Sequence, residues 1–219
     1  MKIKAIITGS TGMVGEGVLH ECLKHKEVES VLVINRKPCG VIHHKLTEII
    51  HKDFNDLSAI KDQLAGYNAC YFCAGVSSIG KKEEEYKKIT YDLTLNFAKT
   101  LKGINRGMVF CYVSGEGTDS SEKGRLMWAR VKGKTENDIL KMGFKDAYMF
   151  RPGYIKPIEG LRHAYKISKA VAPLYPMLEK LFPSHVVTLE ELGTAMINST
   201  LNGSEKKILE CEEIRKLAM

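Results

Sequence analysis

Residues 2–19 read KIKAIITGSTGMVGEGVL, a short apolar run followed by three glycines spaced three residues apart. In such a turn Gly9 allows a tight bend, Gly12 lets the backbone approach a phosphate, and Gly15 lets a helix pack closely on the preceding strand. The amino end of that helix points free N–H groups at an anion. We therefore predict a site for a dinucleotide pyrophosphate in a turn of seven residues, Gly9, Ser10, Thr11, Gly12, Met13, Val14 and Gly15.

Apolar runs typical of buried strands alternate along the chain with segments of helical periodicity. Strands are predicted over residues 3–7, 31–34, 47–50, 69–73, 108–113 and 147–150. Helices are predicted after the glycine turn and over residues 57–64, 82–102 and 126–142. This alternation is typical of parallel sheets covered by helices on both faces, so we expect an α/β protein with a Rossmann-type, doubly wound parallel sheet.

After Gly153 the alternation ends and a mostly helical region begins. Residues 161–182 have helical character interrupted by two prolines. Their basic and apolar composition fits a substrate lid or packed lobe, which we favour, or a helix on a membrane surface. We predict one domain, residues 1–219, in which residues 154–219 form a small lobe over the carboxyl ends of the strands, where ligands of open α/β sheets lie.

The end of the chain contains one strong helix signal. Thr188 is followed three positions later by Glu191, which is the spacing of a capping box, and this pair predicts a helix over residues 189–201. Extended segments are predicted on either side of that helix, at residues 186–187 and 207–210.

The composition argues against several classes of protein. The chain has 219 residues, of which 44% are hydrophobic and 27% charged, as in an ordinary soluble domain. No apolar run is long enough to cross a bilayer and no segment has the pattern of a secretory signal peptide, so we expect a cytoplasmic location. The net charge of +7 is not accompanied by aromatic residues interleaved with basic ones, so we expect neither a nucleic-acid nor a membrane partner.

Neither the histidines nor the cysteines predict a metal site. His43 and His44 are adjacent in a loop-like segment that supplies no further ligands. Cys70 and Cys73 read C-x-x-C, but three residues apart on a strand they point to opposite faces. We expect no bound metal, and cysteines that are reduced.

Three further segments, each following a predicted strand, fit the rest of a dinucleotide. Arg36 and Lys37 stand where an acidic residue usually binds the ribose of NAD. A guanidinium suits a 2′-phosphate, so we expect NADP(H), with NAD(H) as the alternative and a plain surface arginine as the simpler interpretation. Asp53 and Phe54 offer adenine a carboxylate and an apolar contact, unless Asp53 caps a helix. The fourth strand is followed by three small residues that leave room for a cofactor, Cys73, Ala74 and Gly75.

Seven motifs spread over residues 1–155 carry a resemblance, TGSTGMVG, INRK, HKDF, CAG, YVSG, ARVKGKTE and FRPG. In this order they resemble the short-chain dehydrogenase/reductase superfamily, in its atypical or extended branch of NAD(P)-binding, epimerase-like proteins. The resemblance implies a catalytic serine at Ser114 and a catalytic lysine at Lys132, which would also hold the nicotinamide ribose. It further implies that the loop containing Pro152 and Gly153 passes near the nicotinamide.

The chain departs from this family at the position of the catalytic tyrosine, which holds Trp128. An indole N–H can donate a hydrogen bond but cannot exchange a proton near neutral pH, so Trp128 can shape the site but cannot replace a phenol. Tyr154 is the candidate substitute donor, with packing of the lobe as its alternative role. The Y-x-x-x-K formed by Tyr165 and Lys169 lies outside the family's order and is interpreted as coincidence.

These residues leave more than one function open. The first is an NADPH-dependent oxidoreductase or epimerase-like enzyme acting on a small carbonyl or sugar-nucleotide-like substrate. The second is a catalytically inactive NADP(H)-binding protein that regulates or scaffolds a partner, as Trp128 beside an intact cofactor turn suggests. A nucleic-acid or lipid binder that uses the positive charge is the least supported. The sequence is compatible with a homo-oligomer and does not identify the substrate.

Overall fold

The computed structural model describes residues 2–158, 160–161, 173 and 175–219. Within these residues a two-stranded parallel pair consists of β7 (Tyr154–Lys156) and β8 (Val186–Thr188). The main sheet has seven strands, β1 (Ile3–Thr8), β2 (Val28–Asn35), β3 (Leu46–Ile50), β4 (Ala69–Phe72), β5 (Val109–Val113), β6 (Asp146–Arg151) and β9 (Ile208–Glu210). Their order is β3-β2-β1-β4-β5-β6-β9 and every pairing is parallel, which confirms the predicted Rossmann-type fold.

Helical structure is present in the chain over the predicted segments 57–64, 82–102 and 126–142, with two local differences. The segment predicted over 57–64 is a 3₁₀ helix, Ser58–Leu64, and the long helix predicted over 82–102 contains a π-helical turn, Lys88–Asp92. A second 3₁₀ turn covers Pro183–His185. The α-helices within the described residues are α1 (Met13–Lys24), α2 (Glu83–Lys87), α3 (Leu93–Ile104), α4 (Met127–Leu140), α5 (Tyr175–Leu181), α6 (Leu189–Asn202) and α7 (Cys211–Ala218).

Both faces of the sheet are buried, as expected for parallel strands flanked by helices. Side chains alternate between the faces, so that Ile7 belongs to the core under α1, α6 and α7, whereas Ile6 belongs to the core under the first 3₁₀ helix, α3 and α4. Both isoleucines are completely buried. The sheet is therefore a rigid base for the loops at its carboxyl edge.

The C-terminal region contributes to the sheet itself. β9 pairs with β6, and α6 packs across α1 at two glycines, where a Cβ on Gly17 would lie 2.8 Å from Leu189 Cδ2 and one on Gly193 would lie 2.8 Å from Glu21 Cβ. α6 begins with the predicted capping box, in which Thr188 Oγ1 accepts from Glu191 N at 3.0 Å. The predicted helix over 189–201 is thus confirmed, whereas α7 was not predicted.

Most of the segment interpreted as a lid, including Tyr165 and Lys169, lies outside the described residues. In the part of the chain that is described, no helix is long and apolar enough to cross a membrane.

Candidate nucleotide-binding and active site

The glycine turn lies at the carboxyl edge of the sheet between β1 and β4, the point at which the strand order changes direction and ligands of such sheets bind. Gly9 has a φ of +73°, a conformation that side chains rarely adopt. A Cβ on Gly9 would lie 2.7 Å from Ala74 N, so the turn presses directly on the end of β4. The predicted turn and the predicted Cys73-Ala74-Gly75 segment are therefore brought together.

The other two glycines shape a bare surface at the start of α1. A Cβ on Gly15 would overlap the carbonyl oxygen of Gly9, so only glycine permits the helix to start this close to the strand. Gly12 is different, because a Cβ there would lie 3.4 Å from Gly9 O, at the edge of ordinary contact. Gly12 is also the N-cap, and it makes no side-chain hydrogen bond to the first amides of the helix. This cradle fits a pyrophosphate.

A buried polar chain, which the sequence did not reveal, supports the turn from the side of β2 and β3. Asn35 Nδ2 donates to Ser10 Oγ at 2.8 Å and to Glu48 Oε1 at 2.7 Å. Ser10 and Asn35 are 1% and 2% exposed. Ser10 therefore fixes the shape of the turn through its side chain. Beyond Asn35 the side chains of Arg36 and Lys37 are exposed.

The segment after β3 differs from its prediction in detail. Phe54 is 8% exposed and its ring stacks on Phe97 with centroids 5.9 Å apart, so the ring belongs to the core below the sheet. Asp53 Oδ1 accepts from Asn55 N at 2.9 Å and holds a tight turn. Asp53 does not cap the following 3₁₀ helix, whose N-cap is Leu57, and Asp56 Oδ1 accepts from Ser58 N at 2.9 Å just before that helix.

Ser114 lies at the end of β5, as predicted, but its hydroxyl is engaged in the protein interior. Ser114 Oγ donates to Glu136 Oε1 at 2.5 Å, and the two residues are 4% and 0% exposed. Arg151 pairs with the same carboxylate through Nε at 3.0 Å and through Nη2. Ser114 stays the predicted catalytic serine, and its hydroxyl is part of this buried ionic cluster.

Lys132 of α4 lies beside the loop that follows β5. Its Nζ donates to the backbone oxygen of Ser114, and a Cβ on Gly115 would lie 3.9 Å from that nitrogen. Burial lowers the pKa of Lys132 from 10.5 to about 8, against the opposing field of the Glu136 carboxylate. The lysine predicted from the family motif is thus in contact with the end of β5.

Trp128 stands one turn before Lys132 on the same helix and covers the loop after β5. A Cβ on Gly117 would lie 3.3 Å from Cη2 of its ring, and the φ of Gly117 is +79°. The indole is half-buried against this bare backbone. Its position is consistent with the predicted role in shaping the site.

The loop after β6 brings together residues from three parts of the chain. The Glu116 carboxylate bonds His185 Nδ1, and a Cβ on Gly153 would overlap both that carboxylate and the His185 backbone oxygen. The backbone oxygen of the buried Pro152 accepts from Glu116 N at 3.0 Å. Tyr154 follows in β7, half-buried, with its ring 6.5 Å from the ring of Tyr175. The Glu116–His185 pair had no signal in the sequence.

Comparison with known proteins agrees with this fold. The family model described as "NAD dependent epimerase/dehydratase family" matches residues 5–118, just over half of the chain. A protein named "FMP52, mitochondrial" from Meyerozyma guilliermondii is 27% identical over 205 residues, which cover 91% of this chain and 86% of that protein.

Two solved structures share the fold at low sequence identity. The UDP-N-acetylglucosamine 4-epimerase of Methanobrevibacter ruminantium aligns with a TM-score of 0.66 at 14% identity, over 99% of this chain and 81% of that one. The enzyme WbmF of Bordetella bronchiseptica, solved with NAD⁺, aligns with a TM-score of 0.68 at 14% identity, over 99% of this chain and 76% of that one.

The comparison corrects the predicted cytoplasmic location. The protein from Meyerozyma guilliermondii and further fungal relatives are named as mitochondrial. The prediction rested on the lack of a long apolar leader, and this criterion cannot separate the two compartments because mitochondrial transit peptides are amphipathic rather than apolar.

Proposed function

The chain belongs to the NAD dependent epimerase/dehydratase family, and we propose that it binds NADP(H) and reduces the carbonyl group of a small molecule. The observation that carries this proposal is the bare glycine cradle between β1 and β4, with Lys132 on the same edge of the sheet. When bound, the reduced nicotinamide would supply the hydride.

Different residues of this chain would bind different parts of the dinucleotide and its substrate. The backbone of residues 9–15 and the amino end of α1 would hold the pyrophosphate, because the N-cap Gly12 makes no side-chain hydrogen bond to these amides. Arg36 would bind the 2′-phosphate, since it is exposed just beyond β2. Lys132 would hold the nicotinamide ribose, and Trp128 would exclude water from one side of the substrate.

A second candidate function rests on a separate observation. Ser114 donates its hydroxyl to the buried Glu136, and Trp128 stands in the position of the family's tyrosine, so two side chains of the usual active site are altered. A catalytically inactive protein that binds NADP(H) and reports its occupancy to a partner would have this combination. Turnover of any carbonyl compound would decide against it.

The specificity for NADP(H) can be tested by calorimetry with NADPH and NADH. Arg36→Ala should weaken NADPH binding by about tenfold, the loss of one charge-assisted contact, and leave NADH binding within about twofold. Arg106→Ala is the matched control, because Arg106 is an exposed arginine before β5, at the opposite edge of the sheet. Equal losses for the two nucleotides would end the assignment of Arg36 to a 2′-phosphate.

A further inference from the structure

Helix α4 presents an indole and an ammonium to the same loop. Trp128 and Lys132 are four residues apart and therefore share a face of the helix. The loop has glycines at the two positions next to these side chains. A Cβ on Gly117 would lie 3.3 Å from the Trp128 ring, and a Cβ on Gly115 would lie 3.9 Å from Lys132 Nζ. With a φ of +129°, Gly115 occupies a conformation that keeps this position free of larger residues. A substrate oxygen on this side of the helix would meet glycine backbone rather than a loop side chain.

We propose that the ε-ammonium of Lys132 is the proton donor to the substrate oxygen, in place of the phenol that the family carries where this chain has Trp128. This inference rests on the proposed reductase function. When bound, the reduced nicotinamide would supply a hydride, with its electron pair, to the carbonyl carbon. The carbonyl π pair would move to oxygen, and this oxygen would take a proton from Lys132 Nζ. The products would be an alcohol, the oxidised nicotinamide and a neutral amine. Water then reprotonates the amine.

Two neighbouring side chains that could compete for this role are engaged elsewhere. The Ser114 hydroxyl donates to Glu136, and Glu136 is paired with Arg151 of β6. Glu116 of the loop after β5 bonds His185. Within the described part of the chain, the charged group whose field raises the pKa of Lys132 is the Glu136 carboxylate.

The environment of Lys132 also sets the pH range over which it can donate a proton. Burial lowers its pKa to about 8, so the group carries its proton at neutral pH and gives it up more readily than an exposed lysine would. Because the protonated form is the reactive one, kcat/KM for reduction should fall as the pH rises through about 8.

The first measurement does not depend on turnover. Competitive labelling of the native protein with trace acetic anhydride across a range of pH from neutral to strongly alkaline, read by mass spectrometry, gives the titration of each amine. Lys132 should titrate near 8, well below the ordinary lysine value of 10.5. A Lys132 midpoint at that ordinary value would overturn the proposal, because the amine would then be an ordinary solvated lysine.

The second measurement is consumption of NADPH with a panel of aldehydes, ketones and quinones. Lys132→Arg keeps a cation for the ribose but is too weak an acid, so NADPH affinity should stay within about threefold while kcat falls by about a hundredfold or more. The pH dependence near 8 should disappear. Adding Trp128→Tyr to Lys132→Arg should restore turnover through the introduced phenol.

The possible outcomes distinguish a wrong assignment of the proton donor from a wrong assignment of the reductase function. If the wild type turns over and Lys132→Arg keeps that rate and pH profile, the donor assignment is wrong and the reductase function stands. If the wild type binds NADPH but no carbonyl compound is reduced, both are wrong and the non-catalytic function is favoured. If no nucleotide binds, the cofactor site itself is rejected.

Discussion

The candidate site at the carboxyl edge of the sheet has two halves, one formed by backbone atoms and the other by side chains. Between β1 and β4 the site is made of backbone, and its shape is set by glycines whose Cβ atoms would collide with the turn or with β4. Around β5 and α4 the site is made of side chains, and there Ser114 donates to the buried Glu136 while the Trp128 indole covers the loop after β5. A site formed by backbone can be predicted from the spacing of glycines alone. A site formed by side chains can be predicted only if the direction in which each side chain points is known.

The largest loss of stability should come from adding a side chain at Gly15, in the backbone half of the site. In Gly15→Ala the new Cβ would overlap Gly9 O, and backbone cannot move aside as a flexible side chain can, so the free energy of unfolding should fall by about 3 kcal/mol or more. Urea denaturation measures this. Gly103→Ala in α3 is the control, since a Cβ there meets nothing within 4 Å and should leave stability unchanged or raise it by up to about 1 kcal/mol. A small loss at Gly15 would contradict the tight turn.

The next largest loss of stability should come from breaking the buried Glu136–Arg151 ion pair in the side-chain half of the site. Glu136→Gln should lower the free energy of unfolding by about 3 kcal/mol, because the Arg151 guanidinium keeps only a neutral partner at this carboxylate. Glu212→Gln, which breaks an exposed pair with Lys216, should cost less than about 0.5 kcal/mol. Equal effects in the two variants would show that the Glu136 cluster is not a stabilising unit.

A smaller and pH-dependent effect is expected at Lys132. Its pKa is about 8 in the folded protein and near 10.5 when unfolded, so the unfolded chain binds more protons between these values and wild-type stability should rise with pH across that window. Lys132→Met should be more stable than wild type by about 1–2 kcal/mol near neutral pH, and the difference should shrink as the pH approaches about 10. Denaturation midpoints at these two ends of the window measure this, and a constant difference would contradict the buried ammonium.

The sequence predicted most of the fold because its signals are local. The glycine spacing, the apolar runs and the Thr188–Glu191 pair each lie within a few residues, and each is present in the structure. The short α7 was missed since its eight residues follow a strand without a helix-capping side chain.

The family motif predicted Ser114 and Lys132, but the contacts of the side-chain half could not be predicted because they join distant positions. Glu136 and Arg151 are fifteen residues apart and Glu116 and His185 sixty-nine, and no motif couples them. One signal was available, which is the charged Arg151 at the end of the apolar strand AYMFR. A charge in such a strand requires a buried partner, and Glu136 is that partner.

The most direct test of the central claim is a calorimetric titration of NADPH into the wild type, Gly12→Ala and Gly107→Ala. A Cβ on Gly12 is tolerated by the turn but enters the space assigned to the pyrophosphate, whereas a Cβ on Gly107, before β5, meets nothing within 4 Å. We predict saturable binding to the wild type and to Gly107→Ala, and an affinity lower by about tenfold or more for Gly12→Ala at unchanged stability. Equal affinity in all three proteins, or no binding of NADPH or NADH to the wild type, would contradict the backbone site.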